Sequence, residues 1–130
     1  MAKKILVIDD EEILTKSFSM LLERAGYETY TVKNSQDAEA MCEEEDFDLI
    51  ISDVRMPGKN GIETIKQIQE TICSKGRSAA LVIFVTGFAD QEIEAQARAL
   101  NPVAYIHKPF DVTELLNIVR KAIQHSGSKA

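Results

Sequence analysis

The sequence predicts an open α/β fold: a doubly wound sheet of five parallel strands alternating with five helices, (βα)5. Three observations predict it. Short, nearly continuous apolar runs recur along the chain, at Ile5–Ile8, Leu49–Ile51, Leu81–Val85 and Val103–Ile106. Such runs suit strands covered on both faces. Between the runs lie segments whose apolar residues recur at helical spacing. This alternation means parallel strands joined by right-handed crossovers, and five units are too few to close a barrel of eight.

The first strand, Ile5-Leu6-Val7-Ile8, ends abruptly in Asp9-Asp10-Glu11-Glu12. Leu14, Phe18, Leu21, Leu22 and Ala25 then mark one helix face, and Gly26 closes that helix as the residue after its C-cap. Acids at a helix start complement its macrodipole. That accounts for Glu11 and Glu12 better than for Asp9 and Asp10, which stand at the strand end itself.

Tyr27 to Val32 mixes polar and β-prone residues and reads as an edge strand. Ser35 is the expected N-cap of the second helix, which turns Ala38, Met41 and Cys42 inward and Glu39, Glu43, Glu44 and Glu45 outward. That acidic cluster reads as a solvated face. The third strand runs from Leu49 to Ser52 and ends at Asp53, ahead of a Pro57-Gly58 turn. Asn60-Gly61 marks a break, and Ile62, Ile65, Ile68 and Ile72 form the apolar stripe of the third helix.

Lys75-Gly76-Arg77-Ser78 connects to the most apolar strand, Leu81 to Val85, which ends in Thr86-Gly87. Asp90 is placed to cap a fourth helix bearing Ile93, Ala97 and Leu100, and Asn101-Pro102 ends it. The fifth strand, Val103 to Ile106, leads into His107-Lys108-Pro109-Phe110. The last helix has a box-like cap from Asp111 and Glu114 and a Phe110–Leu115 staple, with Leu115, Leu116, Val119, Ala122 and Ile123 facing the core. The domain is expected over residues 1–124, with 125–130 a flexible C-terminal tail.

A chain of 130 residues with 45% hydrophobic and 28% charged residues is about one soluble domain. Its net charge of −6 argues against nucleic-acid binding and suits a cation or a partner with a basic face. Cys42 and Cys73 have no metal-ligand spacing and read as buried or partly buried free thiols, which suits a reducing, cytoplasmic setting. No run reaches transmembrane length, and the first residues do not resemble a signal peptide.

In open parallel sheets ligands sit beyond the carboxyl ends of the strands, where strand order reverses. Asp9 and Asp10 stand at the first such end, Asp53 at the third, Thr86 at the fourth and Lys108 at the fifth. Taken alone, Asp53 could equally cap the turn that follows it. If the order is 2-1-3-4-5, however, Asp9, Asp10 and Asp53 share one pocket. Two carboxylates about 4 Å apart repel by roughly 4 kcal/mol at an effective dielectric of about 20, so such a pocket calls for a raised pKa or a bound cation. Hard oxygens with few dedicated side chains suit Mg²⁺, which keeps waters and completes its shell with phosphate oxygens. Lys108 and the Thr86 hydroxyl suit the oxygens of a phosphoryl group on or beside Asp53, and a carboxylate can itself accept a phosphoryl group. His107 and His125 read as bystanders. The P-loop, dinucleotide-binding, HExxH and CxxC motifs are all missing from the sequence.

Ile-Leu-Val-Ile-Asp-Asp (5–10), Asp-Val-Arg-Met-Pro-Gly (53–58), Val-Thr-Gly (85–87) and Tyr-Ile-His-Lys-Pro-Phe (105–110) resemble, in order and spacing, the receiver domain of two-component response regulators. The resemblance runs from about Lys4 to Gln124. It implies a flavodoxin-like sheet of order 2-1-3-4-5, with Asp53 as the phosphoacceptor. The donor would be a phosphohistidine of a sensor histidine kinase or a histidine phosphotransfer protein. It implies Mg²⁺, for which Mn²⁺ could substitute, held by Asp10, Asp53 and the main-chain carbonyl of Arg55, with Asp9 acting mostly through water. Thr86 and Lys108 would bind the phosphoryl oxygens, and the Lys108–Pro109 bond would be cis. Thr86 and Tyr105 match a switch pair, through which the face of the fourth helix, fifth strand and fifth helix would change shape for a partner, an output domain or a second copy. Arg55 and Phe88 occupy positions that tune phosphoryl lifetime. The chain is then a signalling domain without nucleic-acid or membrane binding, and it assists its own phosphorylation and dephosphorylation.

Three alternatives fit less well. A Mg²⁺-dependent phosphohydrolase with an Asp nucleophile needs a second acid two residues on, where Arg55 stands. A flavodoxin-like cofactor binder would want a Ser/Thr/Gly-rich phosphate loop where Asp9 and Asp10 stand. A degenerate receiver that only binds proteins would not need the full Asp9, Asp10, Asp53, Thr86 and Lys108 set.

Overall fold

The structure, a computed structural model, describes residues 2–55, 60–87 and 90–128, with side chains described throughout except at 12–14 and 125–128. The elements alternate strictly: β1 (Lys4–Ile8), α1 (Glu12–Arg24), β2 (Glu28–Val32), α2 (Ser35–Glu44), β3 (Leu49–Asp53), α3 (Gly61–Ser74), β4 (Leu81–Thr86), α4 (Gln91–Arg98), β5 (Ala104–His107) and α5 (Val112–Ser128). The five strands form one sheet in the order β2-β1-β3-β4-β5, and every neighbouring pair is parallel. The expected doubly wound architecture and strand order are both observed.

Apolar runs become central strands because alternate residues serve opposite layers. Ile5, Val7, Leu49, Ile51, Ile83 and Val85 pack with Phe18 and Leu22 of α1 and Leu115, Val119 and Ile123 of α5. Leu6, Ile8, Ile50, Val82 and Phe84 pack on the other face, against Ala38 and Cys42 of α2, the stripe Ile62, Ile65, Ile68 and Ile72 of α3, and Ala97 of α4. β2 lies at one edge, as its mixed sequence predicts, and β5 at the other, where its residues are half-exposed despite their apolar run.

Helix ends follow local chemistry. Gly26 (φ 97°) and Gly76 (φ 75°) take left-handed backbone after α1 and α3. The amides of Gly26 and Tyr27 bond back to Glu23 and Leu22, and those of Gly76 and Arg77 to Cys73 and Ile72, a paired closure that left-handed glycine permits. Asp90 caps α4 as expected, accepting from the amides of Glu92 and Ile93. At α5, Asp111 accepts from the Thr113 amide at 2.9 Å, and Phe110 stacks on Phe18 of α1 with ring centroids 5.2 Å apart.

Two expectations are corrected. The N-cap of α2 is Asn34, not Ser35: the Asn34 side-chain oxygen accepts from the Asp37 amide at 2.8 Å, while Ser35 is buried inside the first turn. Cys73 is exposed, because one residue beyond Ile72 a helix has turned about 100° away from its buried stripe. Helix α5 runs on to Ser128, since Ser126 and Gly127 are weak helix formers but not breakers as proline is. The Met56-Pro57-Gly58 turn, Phe88 and the side chains of Leu14 and His125 lie outside the described residues.

Candidate functional site

Parallel pairing brings the strand ends into line. Ile8 of β1 pairs with Ser52 of β3, so Asp9 and Asp53 follow side by side at the point where strand order reverses. Asp53 pairs with Val85, one residue before Thr86, and Thr86 pairs with His107, one residue before Lys108. The Lys108 amide donates to the Thr86 carbonyl at 2.7 Å, extending the β4–β5 ladder to the lysine itself. The Lys108–Pro109 peptide is cis.

Asp9 and Asp53 are buried, and Asp10 beside them is exposed. Carboxylate oxygens of all three lie within 4.8 Å of one another. Backbone amides hold two of them in place: Glu11 N–H donates to Asp9 Oδ1 at 2.9 Å, and Arg55 N–H to Asp53 Oδ1 at 3.2 Å. The Lys108 ammonium donates to Asp9 Oδ2 and to Asp53 Oδ2, each at 3.1 Å, and to Glu11 Oε1 at 2.8 Å. Thr86 is fully buried at the adjoining strand end.

The electrostatics reflect this crowding. Burial pushes the Asp9 carboxyl above its ordinary range, and the charge of Asp53 adds to the rise, against the pull of the Glu11 amide and of Lys108. Burial by itself would lower the Lys108 ammonium, but its bonds to Glu11, Asp53 and Asp9 outweigh that and hold it above its ordinary value. Lys108 therefore carries its positive charge at neutral pH.

This donor set fits a hard divalent cation. Three carboxylates with oxygens in mutual reach, one of them open to solvent, leave room for the waters that Mg²⁺ retains. The same pocket carries an ammonium and a buried hydroxyl residue, groups suited to phosphoryl oxygens.

Two supports had no clear signal in the sequence. Ser52 Oγ donates to the Asp53 carbonyl at 2.9 Å. Gly61 N–H donates to the Val54 carbonyl at 2.7 Å, and a side chain at Gly61 would collide with the Asp53 backbone. Glu11, which the sequence assigns to the helix dipole, also makes the shortest of the three bonds to Lys108. Its one signal was chemical, since Glu is an unusual residue at an N-cap position.

Farther along β5, Tyr105 is half-buried and packs against the α2–α3–α4 layer. Its hydroxyl is buried and makes no hydrogen bond among the described residues. Arg98 of α4 lies 5.5 Å from the ring centroid, and the His107 ring meets it edge-on at 5.3 Å. His107 is exposed, with Nε2 3.8 Å from Glu94 Oε1. No described helix is long and apolar enough to cross a membrane.

A family model described as the response regulator receiver domain matches residues 5–120. Among curated proteins, the chain is 31% identical to the polar-differentiation response regulator DivK of Brucella anthropi, covering 92% of this chain and 95% of that protein. It is 33% identical to the transcriptional regulatory protein CrdR of Helicobacter pylori, over 88% of this chain and 52% of that protein. The chain spans between 26% and 54% of the lengths of several regulatory proteins it matches. A CheY-like response regulator receiver domain protein from Methanospirillum hungatei superposes over both entire chains with a TM-score of 0.90 at 26% identity. With this strand order, acidic pocket and near-complete family match, the chain belongs to the response regulator receiver domains of two-component systems.

Proposed function

We propose that Asp53 accepts a phosphoryl group from a phosphohistidine on a sensor kinase or phosphotransfer protein, in a Mg²⁺-dependent reaction. The observation that carries this reading is the placement of the Lys108 ammonium, 3.1 Å from both Asp53 and Asp9 at the reversal point of the sheet. An Asp53 oxygen attacks phosphorus; the O–P bond forms as the donor P–N bond breaks, and its electron pair stays on the imidazole nitrogen. Asp10, Asp53 and the Arg55 carbonyl would hold the cation, with Asp9 acting mostly through water. Bound there, Mg²⁺ supplies positive charge that offsets the repulsion between phosphoryl oxygens and carboxylates. Lys108 and the Thr86 hydroxyl orient the transferred group, and the Arg55 amide fixes the acceptor carboxylate.

The phosphorylated state would be read out through Thr86 and Tyr105. A buried Tyr105 hydroxyl with no partner among the described residues is a poor resting place for a donor, which supports a side chain poised between two arrangements. The face of α4, β5 and α5 would then present a different surface to an output domain, a partner or a second copy. Arg55 and Phe88 would set how readily water reaches the acyl phosphate. The cytoplasm is the proposed setting, and residues 1–124 the proposed receiver unit with 125–130 as its tail.

Incubation with acetyl phosphate, with intact mass as the readout, tests this reading. A phosphoryl adduct that needs Mg²⁺, is abolished by chelator and is missing from Asp53→Asn is expected. An adduct that persists in Asp53→Asn would contradict it.

A further inference from the structure

We infer that Glu11 is a latch on Lys108, holding one ammonium N–H that must be released before the lysine can engage a phosphoryl group at Asp53. This rests on the acceptor reading of Asp53 above. An ammonium has three N–H donors. In the structure Lys108 donates to three carboxylates: Glu11 at 2.8 Å, Asp9 at 3.1 Å and Asp53 at 3.1 Å. Nothing is left for a phosphoryl oxygen until one carboxylate lets go.

Glu11 is the one placed to let go. Its side chain is 59% exposed, against 4% for Asp9 and 8% for Asp53, so water can take over its hydrogen bonds. A second observation shows that this side chain is committed to the lysine. Glu11 is the N-cap residue of α1 but makes no side-chain cap bond, whereas Asn34, Asn60 and Asp90 each cap their own helices. The Glu11 amide is meanwhile tied to Asp9 Oδ1 at 2.9 Å, which seats the residue on the pocket rim within reach of Lys108.

The latch opposes transfer by drawing the ammonium toward the rim. As the Asp53 O–P bond forms and the bond from phosphorus to the leaving group breaks, the transferred oxygens must compete with Glu11 for the same N–H. Removing the Glu11 contact lets Lys108 settle on the phosphoryl group, so Glu11 is a positioning residue that restrains the reaction rate.

The test follows adduct formation on the full chain by intact mass, across acetyl phosphate concentrations at fixed Mg²⁺, for wild type, Glu11→Gln and Glu11→Asp. Gln removes the charge. Asp keeps it but is one methylene shorter and is free to cap α1. Both variants are expected to raise the maximal rate about 1.5- to 5-fold, the range for an exposed ion pair, with the half-saturating donor concentration unchanged. Equal or slower rates in folded variants would overturn the latch. So would acceleration by Gln without Asp, or an effect confined to half-saturation, since either reports only the charge field. A folded wild-type chain that takes no phosphoryl group would overturn the acceptor reading and the latch with it.

Discussion

Gly61 packs directly against the main chain of Asp53: an added Cβ would fall well inside 3.0 Å of the Asp53 carbonyl oxygen, an approach that real side chains do not make. The first turn of α3 thus sits on the end of β3 without a side chain between them. Gly61→Ala must push the two apart, and overpacking of this kind costs about 1–3 kcal/mol. Urea unfolding should show a loss in that range. Acetyl phosphate labelling of the folded fraction should slow as well, because the Asp53 carboxylate moves with its backbone.

Lys108 neutralises a pocket that would otherwise hold buried like charges. Lys108→Met leaves Asp9 and Asp53 facing each other without a cation, and removing one member of a buried pair costs about 3–5 kcal/mol. Thermal melts in chelator should show the loss, and added Mg²⁺ should recover part of it.

The raised Asp9 pKa fixes the sign of a pH effect. A group whose folded pKa lies above its unfolded value of about 3.9 contributes stability at low pH and loses it as pH rises through the folded value. Without metal, Asp9 therefore weakens the fold at neutral pH. Asp9→Asn should melt higher than wild type at pH 7 in chelator, and that advantage should shrink toward pH 4. A wild type that melts higher than Asp9→Asn at pH 7 in chelator would contradict the raised pKa.

The Tyr105 hydroxyl is buried without a partner among the described residues. Tyr105→Phe removes an unsatisfied group while keeping the ring against Arg98 and His107. It should hold or raise unfolding stability, by up to about 1 kcal/mol. Tyr105→Ala should blunt the response of a partner to phosphorylation; an unchanged response would remove Tyr105 from the switch.

The two thiols should separate cleanly. Cys42 is buried and burial pushes its pKa up to about 11, while Cys73 is exposed. Thiolate is the reactive form, so brief iodoacetamide treatment of native protein should add one label, mapped to Cys73.

Much of this molecule was legible because its strands and helices obey simple periods. The stripe Ile62, Ile65, Ile68 and Ile72 is buried as its spacing required, and the runs beginning at Ile5 and Leu81 became central strands. The polar groups at the strand ends could be gathered into one pocket only through the strand order that the family resemblance implies, and the sheet has that order. What could not be read depends on atoms rather than periods. Asn34 and Ser35 are both good caps, and only the chain path decides between them. Glu11 looks like any acid at a helix start until its side chain is seen on Lys108. Gly61 reads as a turn glycine until the Asp53 carbonyl is found against it.

The most direct test of the account asks which carboxylate carries the phosphoryl group. Protein labelled with acetyl phosphate and Mg²⁺ is treated with borohydride, which reduces an aspartyl phosphate to homoserine, and the peptides are sequenced by mass spectrometry. Homoserine at position 53 alone is the predicted result. Homoserine at position 9 or 10, with Asp53 unmodified, would contradict the account.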